Sequence, residues 1–162
     1  MDLCTVAGLK NTAGRILAVD FGDTRTGLAL SDPSRLLASG IGYISPGGLE
    51  KTAVRVVEIA QEKGAAAILV GLPRNMDGSE GPRAARCREF AERVAEKLPS
   101  TPVAMIDERL TTVTATRYLN ETNTRGAKRK TVIDALSAQI FLQNALDQLR
   151  PVGQGRERGT PS

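Results

Sequence analysis

Residues 15–31, RILAVDFGDTRTGLALS, constrain this chain more than any other stretch. Ile16, Leu17, Ala18 and Val19 form an apolar run of the length of a buried strand. The run ends in Asp20, a carboxylate that a buried strand avoids unless something cationic meets it. Gly22 and Gly27 bracket a polar turn, and a second apolar run, Leu28 to Leu30, follows. The pattern predicts a hairpin in the middle of a sheet with an acid at the tip of its first strand. Glycine allows the tight turn and leaves room above Asp20 for something large. Taken alone, the same pattern also fits a surface turn with a capping aspartate, and the rest of the chain has to decide.

At 162 residues the chain is expected to form one domain with a proper core. Aromatic residues are only 3% of it, too few for a single-strand binder that works by base stacking. There is no histidine, which removes Ser-His-Asp and Cys-His catalysis, histidine bases and histidine-containing zinc sites together. The two cysteines, Cys4 and Cys87, lack CxxC spacing and are too few for a four-thiolate site. They are expected as free thiols in a reducing, cytoplasmic setting, with Cys87 in the core. No apolar run approaches the ~20 residues of a membrane span, and residues 1–14 lack the apolar core of a signal peptide. The formal charge of +4 permits a nucleic-acid partner. If the chain is an enzyme, carboxylates are its expected working groups, and carboxylates that handle a polyanion usually need a divalent metal.

Residues 1–14 read as a flexible leader, 15–149 as the folded domain and 150–162 as a disordered tail. A third strand over residues 36–44 closes an antiparallel meander before Gly47 and Gly48. Leu49, Ala53, Val56, Val57 and Ala60 repeat on one helical face, and Gly64 is a stop. Residues 65–70 are a fully apolar strand of the parallel, doubly covered kind. A turn-rich loop leads to Pro82, which suits the first turn of a helix running to about Leu98. Residues 102–106 form another buried strand. A short helix capped by Thr111 or Thr112 runs to Leu119, a polar loop covers 120–130, and a last helix covers 131–149. The tight joins make the first three strands antiparallel, and the helical crossovers make the later ones parallel. The expected fold class is therefore α/β, a mixed five-stranded sheet flanked by helices.

Three acids sit where acids are costly. Asp20 ends the first strand, and Glu108 lies just past the last. Asp134 begins a helical face that continues through Ser137, Ala138, Phe141 and Ala145, the small and apolar side expected to pack on the sheet. Alone, Asp134 reads as a helix-dipole stabiliser; with the other two it reads as a ligand. Mg²⁺ or Mn²⁺ explains the set, because such ions take a few carboxylates, keep waters and share oxygens with a substrate phosphate. Lys128, Arg129 and Lys130, with Arg125, are placed just before the helix bearing Asp134, where they can draw a phosphate backbone toward the acids; a solvated loop is the plainer alternative. Arg74 and Asn75 could reach phosphate or build a turn. Arg109 could pair with Glu108, orient it or clamp substrate. Asp107 is less central.

Four motifs in order, VDFGDTRTGLALSDP (19–33), VGLPRNMDGS (70–79), DERLTT (107–112) and KTVIDALSAQ (130–139), resemble those of the YqgF/RuvX family, over residues 15 to about 148. The resemblance implies a ribonuclease H-like fold and a bacterial cytoplasmic, metal-dependent nuclease. It implies a role in maturation of the 5′ end of 16S ribosomal RNA, with junction cleavage proposed for some members. Its three acidic positions fall on Asp20, Glu108 and Asp134. The implied partner is nucleic acid, precursor rRNA ahead of branched DNA, with ribosomal particles a further partner; a monomer and a homodimer both stay open. Two rivals remain. One is a non-catalytic nucleic-acid-binding scaffold. The other is an ATP-dependent phosphotransferase, since Asp-x-Gly-x-x-x-x-Gly over residues 20–27 also fits the phosphate turn of actin-like ATPases; that architecture needs two halves, and this chain is long enough for one.

Overall fold

A chain that places its acids at strand ends needs a sheet whose strands share one carboxyl edge, and the computed structural model has one. It describes residues 3–22, 25–45, 47–108 and 126–149, with the backbone alone over 126–135. Five strands lie in the order β3-β2-β1-β4-β5. They are β1 (Ile16–Asp20), β2 (Thr26–Ser31), β3 (Ala38–Ile44), β4 (Ala67–Leu72) and β5 (Val103–Asp107). β1, β2 and β3 pair antiparallel, whereas β4 runs parallel to both β1 and β5. The chain leaves β1 toward one edge of the sheet and returns to β4 on its other side. The carboxyl ends of β1 and β4 thus flank a topological switch point, the place where open α/β sheets bind ligands.

Strand parity divides the core in two. Leu17, Val19, Ile68, Val70 and Val103 face helices α1 (Gly48–Lys63) and α2 (Pro82–Lys97), packing with Val56, Phe90 and Val94. Ile16, Ala18, Ala67, Leu69, Ala104 and Ile106 face helix α3 (Gly126–Leu149), packing with Ala138, Phe141, Leu142 and Ala145. Because both faces are covered, β4 is buried along its whole length, as its unbroken apolar sequence requires. Gly64 ends α1 in a left-handed conformation (φ 67°), with its N–H turned to the carbonyls of the last turn. Gln143 and Gln139 tie α3 to the meander through the Ala38 N–H and the Ala38 and Leu36 carbonyls.

The structure differs from the sequence reading in three places. Residues 3–14 are packed, not loose. Val6–Asn11 forms a 3-10 helix whose Val6 and Leu9 are buried, and the Cys4 N–H donates to the Val103 carbonyl at 2.8 Å. Arg35, itself in the left-handed region (φ 61°), holds this segment with bonds to the carbonyls of Gly14 (2.6 Å) and Leu9 (2.8 Å) and to Thr12 Oγ1 (2.8 Å). Two apolar side chains three residues apart and one distant arginine supply what the short polar segment lacks. The last helix begins at Gly126, so Lys128, Arg129 and Lys130 lie within it and not in a preceding loop. Ala127 and the lysines and arginine that follow are good helix formers, and no proline interrupts them. The third strand starts at Ala38, because Asp32 Oδ1 accepts from the Leu36 and Leu37 N–H groups and holds them in a turn. The short helix expected from Thr111 or Thr112 to Leu119 lies outside the described residues.

Candidate active site

β1, β4 and β5 end at one edge of the sheet, and parity sends three residues there to the α3 side. Asp20 follows Ala18 on that face of β1, Gly71 follows Leu69 on β4, and Glu108 follows Ile106 past β5. The Glu108 N–H donates to the Leu72 carbonyl at 3.2 Å, which carries the parallel ladder one residue further and brings the side chain over β4. Asp20 and Glu108 are hydrogen-bonded to each other through their carboxyls. Burial lifts the Glu108 carboxyl above the ordinary glutamate range. The positive charge of Arg83 and the hydrogen bond with Asp20 pull it back down, while the negative charge of Asp107 adds to the rise.

Gly71 makes the approach possible. A Cβ at this position would lie 2.3 Å from Glu108 Oε2 and 2.8 Å from Cε2 of Phe141. Glu108 Oε2 is buried and has no hydrogen-bond partner among the described residues. A buried carboxylate oxygen left in this state is costly. Asp134 lies on α3 one turn before Ala138 and two turns before Phe141, the residue whose ring edge borders Gly71. Its side chain, with those of Lys128, Arg129 and Lys130, lies outside what the structure describes, as does the whole of Arg109.

Two of the residues read as substrate contacts hold the β4–α2 loop. Arg74 pairs with Glu80 at 3.4 Å and with Asp107 at 3.8 Å, linking the loop to the residue before Glu108. Asn75 donates from Nδ2 to Ser79 Oγ at 2.9 Å, and its N–H donates to the Ser79 carbonyl. Arg88 adds two bonds of 2.7 Å to Glu80. The buried Cys87 sits in the core, as the sequence suggested. Sequence reasoning missed Gly71 and Arg83. Gly71 stands at the head of the turn-rich loop that follows an apolar run, and nothing local marks it. Arg83 directly follows Pro82, and that place in the first turn of the helix leaving the site edge is the signal that could have found it.

Two hard carboxylate oxygens at a switch point, one buried without a partner, form a donor set suited to a divalent cation. With this geometry in view, the comparisons with known proteins agree. The RuvX family model, described as Holliday junction resolvase, matches residues 14–148. A protein of Nocardioides sp. named "Putative pre-16S rRNA nuclease" is 40% identical over 144 residues, covering 87% of this chain and 92% of its own length. One of Pelotomaculum thermopropionicum with the same name is 43% identical over 145 residues, covering 89% and 90%. Among solved structures, Thermus thermophilus RuvC aligns with a TM-score of 0.52 at 14% identity, over 83% of this chain and 95% of that one. The Fowlpox virus resolvase bound to Holliday junction DNA aligns with a TM-score of 0.54 at 10% identity, over 85% and 99%. At these identities the two structures speak for the ribonuclease H-like fold alone. The family match over most of the chain, together with relatives at 40% identity and above, establishes that the chain belongs to the RuvX family, whose curated members carry the name of a nuclease.

Proposed function

We propose that this protein is a metal-dependent endonuclease that hydrolyses phosphodiester bonds of the 5′ extension of precursor 16S rRNA in the cytoplasm. The observation that carries the reading is the Asp20–Glu108 pair at the carboxyl edge, with its partnerless buried oxygen and the space left by Gly71. Asp20, Glu108 and Asp134 are the proposed metal ligands and catalytic acids, with Mg²⁺ or Mn²⁺ as the ion. When bound, the ion activates the attacking water and neutralises charge on the leaving oxygen. Asp20 and Glu108 present oxygens to it from two strands that cannot move independently. Arg74, anchored by Glu80 and Asp107, keeps the β4–α2 loop against the site. Lys128, Arg129 and Lys130, at the start of α3, supply positive charge for the phosphate backbone, and Arg109 is placed next to Glu108 to contact substrate. The rRNA substrate is supported by the name that the relatives carry.

A second reading, resolution of branched DNA, is favoured by the description of the family model. One experiment separates the two. RNA carrying the 5′ extension of small-subunit rRNA and a four-way DNA junction are incubated with the protein and Mg²⁺ or Mn²⁺, with and without chelator, beside Asp20→Asn. The expected result is trimming of the RNA, lost on chelation and in the variant, with the fold retained. Paired symmetric cuts in the junction would favour the resolvase and require a dimer. Full activity in Asp20→Asn would remove the site assignment, and binding without any cleavage would favour the scaffold reading.

A further inference from the structure

A cleft opens beside the acid pair on the other side of β1's end. It is lined by Phe21, Gly22, Arg83, Arg86 and Cys87.

We propose that this cleft binds one phosphate group of the nucleic-acid backbone, held by Arg83 and Arg86, and so sets where the strand lies relative to Asp20 and Glu108. The assignment deepens the nuclease reading and rests on it for the class of substrate. Its first support is position. Phe21 and Gly22 directly follow Asp20, so whatever fills the cleft lies one or two residues from the acid pair. Charge is the second. Among the described residues that line the cleft, the charged side chains are Arg83 and Arg86, three apart on α2 and therefore on one helical face.

Rigidity is the third support. The Arg86 guanidinium lies 5.9 Å from the centroid of the Phe21 ring, and that ring stacks on Phe90 at 4.4 Å and 15°. The Cys87 thiol donates to the Phe21 carbonyl at 3.9 Å. The wall beneath the guanidinium is thus part of the core. Planar guanidinium forks match phosphate oxygens, and two of them offset the repulsion that a polyanion meets at a pair of carboxylates.

The test is fluorescence anisotropy of a labelled single-stranded RNA oligonucleotide in EDTA, which blocks cleavage, across a salt series. Arg83→Gln/Arg86→Gln is compared with wild type, with Arg83→Lys/Arg86→Lys, and with Arg93→Gln as a control outside the cleft. The expected result is an affinity loss of about tenfold in the Gln pair, with the slope of log K against log salt reduced by about 1. The Lys pair should keep the wild-type slope, since charge remains. Arg93→Gln should match wild type. Unchanged affinity and slope in the Gln pair would overturn the proposal, as would an equal loss in Arg93→Gln. Millimolar inorganic phosphate that raises the Tm of wild type but not of the Gln pair, with RNA affinity equal in both, would make the cleft a free-phosphate site and also overturn it. Cleavage by Asp20→Asn, measured separately with Mn²⁺, keeps the two readings apart: full activity there would remove the nuclease site assignment, whereas the anisotropy series in EDTA reports on the cleft alone.

Discussion

Gly71→Ala is the sharpest probe of how the acid pair is held. The added Cβ would sit 2.3 Å from Glu108 Oε2, whereas ordinary contact begins at 3.4 Å, so the carboxylate must retreat by about 1.1 Å. Phe141 cannot yield on the other side, because its ring would be 2.8 Å from the same Cβ and is fully buried. Two effects compete. Gly71 is not among the glycines with positive φ, so alanine meets no backbone strain, and the loss of unfolded-chain freedom would stabilise the fold by about 0.4–1 kcal/mol. Overpacking a tight core costs about 1–3 kcal/mol. Overpacking wins, by about 1–2 kcal/mol, which lowers Tm by about 2–8 °C for a domain of this size. A displacement of about 1 Å in a catalytic carboxylate costs about 100-fold in rate. The assays are a thermal melt and initial rates of cleavage with Mn²⁺ on the 5′-extended RNA. A variant with wild-type Tm would refute the packing argument. One with a lowered Tm and wild-type rate would show that Glu108 does its work from somewhere other than over Gly71.

Arg35→Lys cannot reproduce the fork that meets Gly14, Leu9 and Thr12, and it should cost about 1–3 kcal/mol and expose residues 3–14 to limited proteolysis; a cleavage pattern like wild type would count against the clamp. The Asp32 carboxyl is held at about 2, first by the Leu37 N–H, then by the Ser34 hydroxyl and the Leu36 N–H. Its folded-state pKa lies below the ordinary 3.8, so its contribution to stability is complete above that value and is lost as pH falls toward 2. An NMR titration should find the midpoint near 2, and Asp32→Asn should flatten the acid limb of the stability curve; a midpoint near 4 would contradict the turn.

Much of the fold was legible because its elements follow local rules. The apolar run of β4 and the alternation of charge and apolar residues on α1 report burial directly, through period and length. Gly64 and Pro82 mark helix ends by backbone chemistry alone. Residues 3–14 were misread because Leu9 is buried by a strand and a helix far along the chain, and because the arginine that holds them stands more than twenty residues away. The start of α3 was misread because clustered charge in sequence looks like a loop, although lysine and arginine favour helix.

The sequence by itself determined the chemistry available to this protein. With no histidine and two isolated cysteines, carboxylates were the expected working groups, and Asp20 and Glu108 stood out as candidates by closing apolar runs where charge is costly. Tertiary structure alone decided what those acids meet. Asp20 and Glu108 are 88 positions apart in the chain, and they touch because β1 and β5 flank β4 in one parallel register. Gly71 between them matters for the side chain it lacks, and Arg83 for the positive charge it brings to the same edge. Both are properties of distance across the sheet, which no local pattern of residues encodes.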